Sequence, residues 1–201
     1  MSSIFYRKKP IIGLDISRTS IKIMSIDKTR MLVHGYGSIN LDSQQNDGNS
    51  NDNVEYLAQN IKELLKNNIV GQIDSNRVAI GIPTSRTFSR TFTLPMKEEA
   101  NIISAVNLEV EQYIPAPLDS LYVDYRIINR SKDELSVLMC AAPKKMIDNM
   151  LDAAQRCGLE VAAIEPNVNA ISRLLKKTEE GMLPTVIVDI GTSATDIAIL
   201  D

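Results

Sequence analysis

Two aspartates, Asp15 and Asp189, each close an apolar run and open a short turn rich in hydroxyl side chains. The segments around them, PIIGLDISRTSIKIMSID (10–27) and PTVIVDIGTSATDIAILD (184–201), align without a gap at one constant offset of 174 residues, the distance from Asp15 to Asp189. Pro10 then matches Pro184, Ile16 matches Ile190, Ile23 matches Ile197 and Asp27 matches Asp201. Each copy reads as strand, turn and returning strand. N–H groups in such a turn can converge on an anion, and Ser17, Thr19, Ser20, Thr192, Ser193 and Thr195 can add small hydroxyl donors. Carboxylates at the strand ends, Asp15 and Asp189, suit a hydrated Mg²⁺ gripped through its waters. Lys22 can meet a phosphate as a point charge. One such hairpin is ordinary in any α/β protein; its recurrence is what suggests a phosphate clamp with two jaws.

Composition removes several other chemistries. The 201 residues are 44% hydrophobic and 23% charged, ordinary for a globular protein and enough for one large domain or two small ones. A net charge of −3 and a pI near 5.3 argue against a nucleic-acid surface, which needs concentrated basic charge. Arg7, Lys8 and Lys9 read as a solvated terminus. No apolar run approaches the roughly 20 residues of a membrane-spanning helix. No apolar segment of signal-peptide type follows the first ten residues, so the reading is cytoplasmic. Cys140 and Cys157 have neither zinc nor redox-pair spacing and read as buried thiols, and His34 is the only histidine.

The elements that must position the clamp follow from periodicity. After the first hairpin, 31–41 reads as a third strand and 43–53 as a polar loop with nothing to bury. Asp52 or Asn53 caps a helix over 54–68, and 77–83 is a short buried strand. From Ser85 the pattern runs strand, helix (97–113, with Ile103, Val106, Val110 and Ile114 as its apolar stripe), strand, strand, helix (144–157) and strand (159–164). Residues 85–165 therefore read as an inserted α+β unit. A helix over 166–177 returns to the first layer. The predicted division is 1–84, 85–165, 166–184 and 185–201, the last being the start of a second lobe.

GLDISRTSIK (13–22) resembles the first phosphate motif of the actin-like ATPase superfamily, and VIVDIGTSATDIAIL (186–200) resembles the second. Between them, LEVEQYIPAPLDSLYVDYRII (108–128) is similar to the most characteristic stretch of the PilM family of actin-like type IV pilus assembly proteins. The resemblance implies an α/β fold: an actin-like (ribonuclease H-like) subdomain 1A, the inserted subdomain 1C, and only the first strands of the second lobe. It implies ATP and Mg²⁺ as ligands, with Asp15, Ser17, Thr19, Ser20 and Lys22 in the first motif and Asp189, Gly191 and Thr192 in the second. Asp15 and Asp189 would serve the metal. Glu165 falls where relatives keep a side chain that orients attacking water, or it is simply a carboxylate at a helix start. Ser17 stands where most relatives have Gly, so it either takes an ordinary conformation or offsets a left-handed one through its hydroxyl.

The resemblance further implies a cytoplasmic adaptor at the inner face of the membrane. Its partner would be the N-terminal tail of a PilN-like membrane protein, with other inner-membrane pilus components and self-association also possible. Phe88 and Phe92 are either a wall of the peptide groove or core residues. PilM-type proteins are longer, so the sequence reads as part of a larger protein and, alone, as an incomplete ATPase, at most a weak one. An FtsA-like division protein and a kinase-like or chaperone-like ATPase of the same superfamily are the alternatives. The first would need an amphipathic membrane-binding helix at the far C-terminus, the second a catalytic carboxylate beside a polar acceptor pocket.

Overall fold

The computed structural model describes residues 10–27, 29–46, 52–178, 184–192 and 194–200. The basic cluster at residues 7–9, Ser193 and Asp201 lie outside them. Alternation of apolar residues sets the first strands. In β1 (Ile12–Ile16) the side chains of Ile12, Leu14 and Ile16 are buried, and in β2 (Ser20–Asp27) so are Ile21 and Ile23. β3 (Leu32–Asn40) completes an antiparallel meander, and β4 (Ile69–Gly71), which periodicity does not reveal, pairs with its outer edge. β5 (Arg77–Ile82) adds to β1 in parallel, burying Val78, Ile80 and Ile82. Between β3 and β4 runs α1 (Asp52–Asn67), whose Val54, Leu57, Ala58, Ile61 and Leu64 are buried at helical spacing and which packs against β2, β3 and β4. Leu64 is fully buried. Leu64→Ala is expected to cost about 2–5 kcal/mol in urea unfolding, as transfer plus cavity.

The chain divides into two compact units, one of residues 1–84 with 149–201 and one of 85–148. The second unit is a three-stranded antiparallel sheet, β6 (Phe88–Pro95), β8 (Glu134–Pro143) and β7 (Leu121–Arg130), with β8 in the middle. α2 (Ile102–Tyr113) covers one face, bringing Val106 and Val110 onto Val137 and Met139. A 3₁₀ segment, Met96–Asn101, replaces the expected first turns of this helix, and Glu99 within it pairs with Arg130 at 3.0 Å. Ile102 rather than Ile103 belongs to the stripe; Ile103 is 64% exposed. Phe92 is in the core, whereas Phe88 is 40% exposed.

α3 (Lys144–Arg156) ends at Gly158, whose φ of 72° only glycine takes without strain. Its last turns belong to the first unit, where Cys157 donates its thiol to the Ala58 carbonyl and Arg156 pairs with Glu55 at 3.2 Å. Cys140 and Cys157 are half-buried rather than buried, and burial pushes both thiols up.

β9 (Glu160–Pro166) corrects the expected boundary of the insertion. It does not join the 85–148 sheet but lies parallel to β5, at the end of a six-stranded order β4-β3-β2-β1-β5-β9. The Glu160 amide donates to the Asn76 carbonyl at 2.7 Å, and the Glu160 carboxylate meets Arg77 at 3.1 Å. Apolar periodicity identifies a strand but not its neighbour, and here the neighbour lies about 80 residues earlier in sequence. α4 (Asn167–Thr178) follows in the first unit, with Leu174 54% exposed. β10 (Thr185–Ile190) and β11 (Thr195–Leu200) form a separate two-stranded antiparallel sheet.

Candidate functional site: two turns and a desolvated aspartate

The sheet face opposite α1 carries a cleft of about 460 Å³, floored by Gly13, Ala79 and Gly81 and walled by Met24, Tyr36 and Ala170. Asp15, Lys22, Glu165 and Asn167 line the same cleft. The alternation that buries Leu14 and Ile16 turns Asp15 to this face, and the β1–β2 register sets it directly across from Lys22.

The first turn is closed by its own serines. The Ser17 amide donates to the Ser20 carbonyl at 2.9 Å, and the Ser20 amide donates to Ser17 Oγ at 3.1 Å. Among the described residues Met31 alone has a positive φ outside glycine, so Ser17 takes an ordinary conformation. Gly191 is not left-handed either, and serine at position 17 therefore carries no backbone penalty relative to the glycine motif. The second turn repeats the closure at the same offset, the Gly191 amide donating to the Ala194 carbonyl at 2.9 Å. The two turns touch: Thr19 Oγ1 and Thr192 Oγ1 share a hydrogen bond of 2.6 Å. Asp189 is close enough for its charge to act on Asp15.

Burial pushes the Asp15 carboxyl above its ordinary value of 3.8; the Asn167 hydrogen bond and the Lys22 charge oppose the rise, and Asp189 adds to it. A desolvated carboxylate in the field of a second one is a site that favours added positive charge. That donor set fits a hydrated Mg²⁺, which would relieve the repulsion.

The sequence profile described as "Type IV pilus assembly protein PilM" matches residues 13–201. The chain belongs to that family. Solved structures agree on an actin-like fold. The chain superposes on a protein of the "PilM-PilN type IV pilus biogenesis complex" with a TM-score of 0.81 at 20% identity, covering 94% of this chain and 57% of that one. The cytoplasmic domain of EpsL, an inner-membrane component of the type II secretion system of Vibrio cholerae, gives 0.60 at 12% identity, with 94% and 70% covered. A Bacteroides thetaiotaomicron protein with an actin-like ATPase fold and unknown function gives 0.51 at 12% identity, with 95% and 65% covered. This chain thus spans a little over half the length of the PilM structure it matches.

Within the PilM-family fold, three side chains complete the site that sequence reasoning passes over. Asn167, in the first turn of α4, donates from Nδ2 to Asp15 Oδ1 at 2.8 Å. It can approach because residue 81 is glycine; a Cβ there would overlap Asn167 Oδ1. The contact joins residues 152 apart, and the Gly in RVAIGIP is its one local signal. Arg173 grips both oxygens of Glu165, at 2.5 and 2.7 Å. Glu165 lines the cleft, and its carboxylate is held by this cation. Arg173 is 58% exposed, so Arg173→Ala is expected to change stability by less than about 1 kcal/mol in a thermal melt. The third is Asn46, from the polar loop read as burying nothing; it is 3% exposed beneath the first turn.

The two jaws differ in charge. The residue across from Asp15 is Lys22, whereas the residue across from Asp189 is Asp196. The second jaw therefore offers an extra carboxylate and no lysine.

Proposed function

We propose that this chain is the ligand-holding part of a scaffold in type IV pilus assembly. It takes Mg-ATP between its two turns and the N-terminal tail of a PilN-like inner-membrane protein on the 85–148 unit. The observation that carries the nucleotide reading is the Thr19–Thr192 hydrogen bond, which brings together two turns of matching closure, each following an aspartate, with the Asp189 charge acting on Asp15. Arg18 and Thr19 amides, the turn hydroxyls of Ser17, Ser20 and Thr192, the Gly191 turn and Lys22 would meet phosphate oxygens. Asp15 and Asp189 would hold the waters of Mg²⁺, which supplies the positive charge the pair lacks. Mg-ATP is expected to raise the melting temperature of the chain, and ATP without a divalent ion to raise it less. No shift at millimolar Mg-ATP would leave an adaptor that needs no nucleotide.

The clamped Glu165 supports holding nucleotide over turning it over. A carboxylate whose two oxygens are occupied by one guanidinium is a poor general base.

For the tail, Phe88 offers an exposed aromatic on an edge strand, and Arg90 stacks on Tyr113 at 3.4 Å nearby in the same unit. Aromatic and Arg side chains of this kind anchor short extended peptides. An N-terminal peptide of a PilN-like protein is expected to bind at micromolar or tighter dissociation constant by calorimetry, and Phe88→Ala to weaken it about tenfold. Flat titrations on folded protein would remove the partner reading. Attachment at the inner face would run through that partner; among the described residues no helix is long and apolar enough to cross a membrane.

A further inference from the structure

We infer that Asn46 is the positioning residue of the first phosphate turn and that Asn53 holds Asn46 in place. Asn46 Nδ2 donates to the Ser17 carbonyl at 2.9 Å and to the Arg18 carbonyl at 3.1 Å. The third carbonyl of the turn, that of Thr19, accepts from the Leu41 amide at 2.8 Å. Asn46 Oδ1 in turn accepts from Asn53 Nδ2 at 3.1 Å, and that same amide reaches the Gln45 carbonyl at 3.3 Å. Both asparagines are shut away from solvent, at 3% and 1% exposure.

The geometry of the peptide unit converts these bonds into a direction. In a planar trans peptide the C=O of one residue and the N–H of the next point opposite ways. Holding the carbonyls of Ser17 and Arg18 therefore aims the amides of Arg18 and Thr19 away from Asn46. Holding the Thr19 carbonyl likewise aims the Ser20 amide, which goes to Ser17 Oγ. Arg18 and Thr19 are left as two successive amides directed outward, the arrangement that receives an anion. Many turns achieve this with glycine conformations; this one, without positive φ, achieves it with a buried side chain. Asn53, in the first turn of α1, ties the turn to that helix. The functional consequence rests on the nucleotide reading above, but the positioning itself can be tested on nucleotide-free protein.

The test is residue-resolved amide exchange by NMR on the full chain, with Mg-ATP titration alongside. In Asn46→Ala the amides of Ser17, Ser20 and Leu41 are expected to exchange about tenfold faster or more, since two hydrogen bonds are lost beneath the turn. The amides of Val78 and Ile80 in β5 should keep wild-type rates, which a general loss of stability would not allow. Asn46→Asp, equal in size but presenting only acceptors to two carbonyls at neutral pH, should exceed Asn46→Ala in effect. Mg-ATP affinity should fall at least about tenfold in both. Wild-type exchange at Ser17, Ser20 and Leu41 in folded Asn46→Ala overturns the inference. Should that variant not fold, Asn53→Ala removes only the anchor and is expected to speed the same amides about threefold; wild-type rates there overturn it equally. Faster turn amides in a chain that does not bind Mg-ATP would support the positioning role and defeat the nucleotide reading.

Discussion

Asp15→Asn is expected to weaken Mg-ATP binding about ten- to a hundredfold while raising the melting temperature of the nucleotide-free protein. Both effects come from one charge. The carboxylate is the group that would hold the waters of Mg²⁺, and charge-assisted contacts of this kind are worth about 1.5–3 kcal/mol. Without the cation the same charge is a burden, because Asp15 is desolvated and sits in the field of Asp189. Its folded-state pKa lies above the ordinary value, so the folded protein binds this proton more tightly than the unfolded chain does. Stability from this group is therefore lost as pH rises from 3.8 through the raised folded value. The Asn variant carries no such loss, and its advantage in melting temperature should grow from acid to neutral pH and then level off. Melts with and without Mg-ATP across that range check both halves. A variant that binds Mg-ATP as tightly as wild type would remove Asp15 from the site.

Gly81→Val is the second substitution with a large expected effect, although residue 81 has no side chain in the site. Its Cβ would overlap the Asn167 side-chain amide, so that side chain must swing away or its helix give, at up to about 1–3 kcal/mol as for other overpacked positions. Asn167 then leaves Asp15, and the first jaw loses the hydrogen bond that keeps its carboxylate in one orientation. Melting temperature and Mg-ATP affinity should fall together. Gly81→Val combined with Asn167→Ala should recover most of the stability and none of the affinity, because the clash is relieved and the hydrogen bond is still absent. A double variant no more stable than Gly81→Val would place the cost elsewhere. Thermal melts and titrations on the two single variants and the double variant give the coupling directly.

The sequence made parts of this molecule legible because the relevant signals are local. Asp15 and Asp189 are visible because each ends an apolar strand and each is followed by the same kind of turn. The α1 helix is visible because Leu57, Ile61 and Leu64 fall on one face. What escaped is whatever depends on a partner far along the chain. Asn46 sits in a stretch whose composition is that of a solvated loop, and the Ser17 and Arg18 carbonyls of the first turn give its amide a reason to be buried. Asn167 looks like any polar residue in the first turn of a helix until β5 brings Gly81 beneath it. Glu165 stood out as a carboxylate beside a proline, but its companion Arg173 lies two turns further along α4, where an exposed arginine carries no special signal.

By itself, then, the sequence determined the doubled hairpin, the two aspartates at equivalent positions and the presence of an inserted segment, because strand period and turn chemistry are written into neighbouring residues. Tertiary structure alone decided that β9 pairs with β5 and leaves the insertion at Asp148, that the two turns meet at Thr19 and Thr192, and that one aspartate faces a lysine while the other faces Asp196. Those outcomes turn on which strand edge, carbonyl or charge is nearest in space, and burial and register fix that only once the whole sheet has formed.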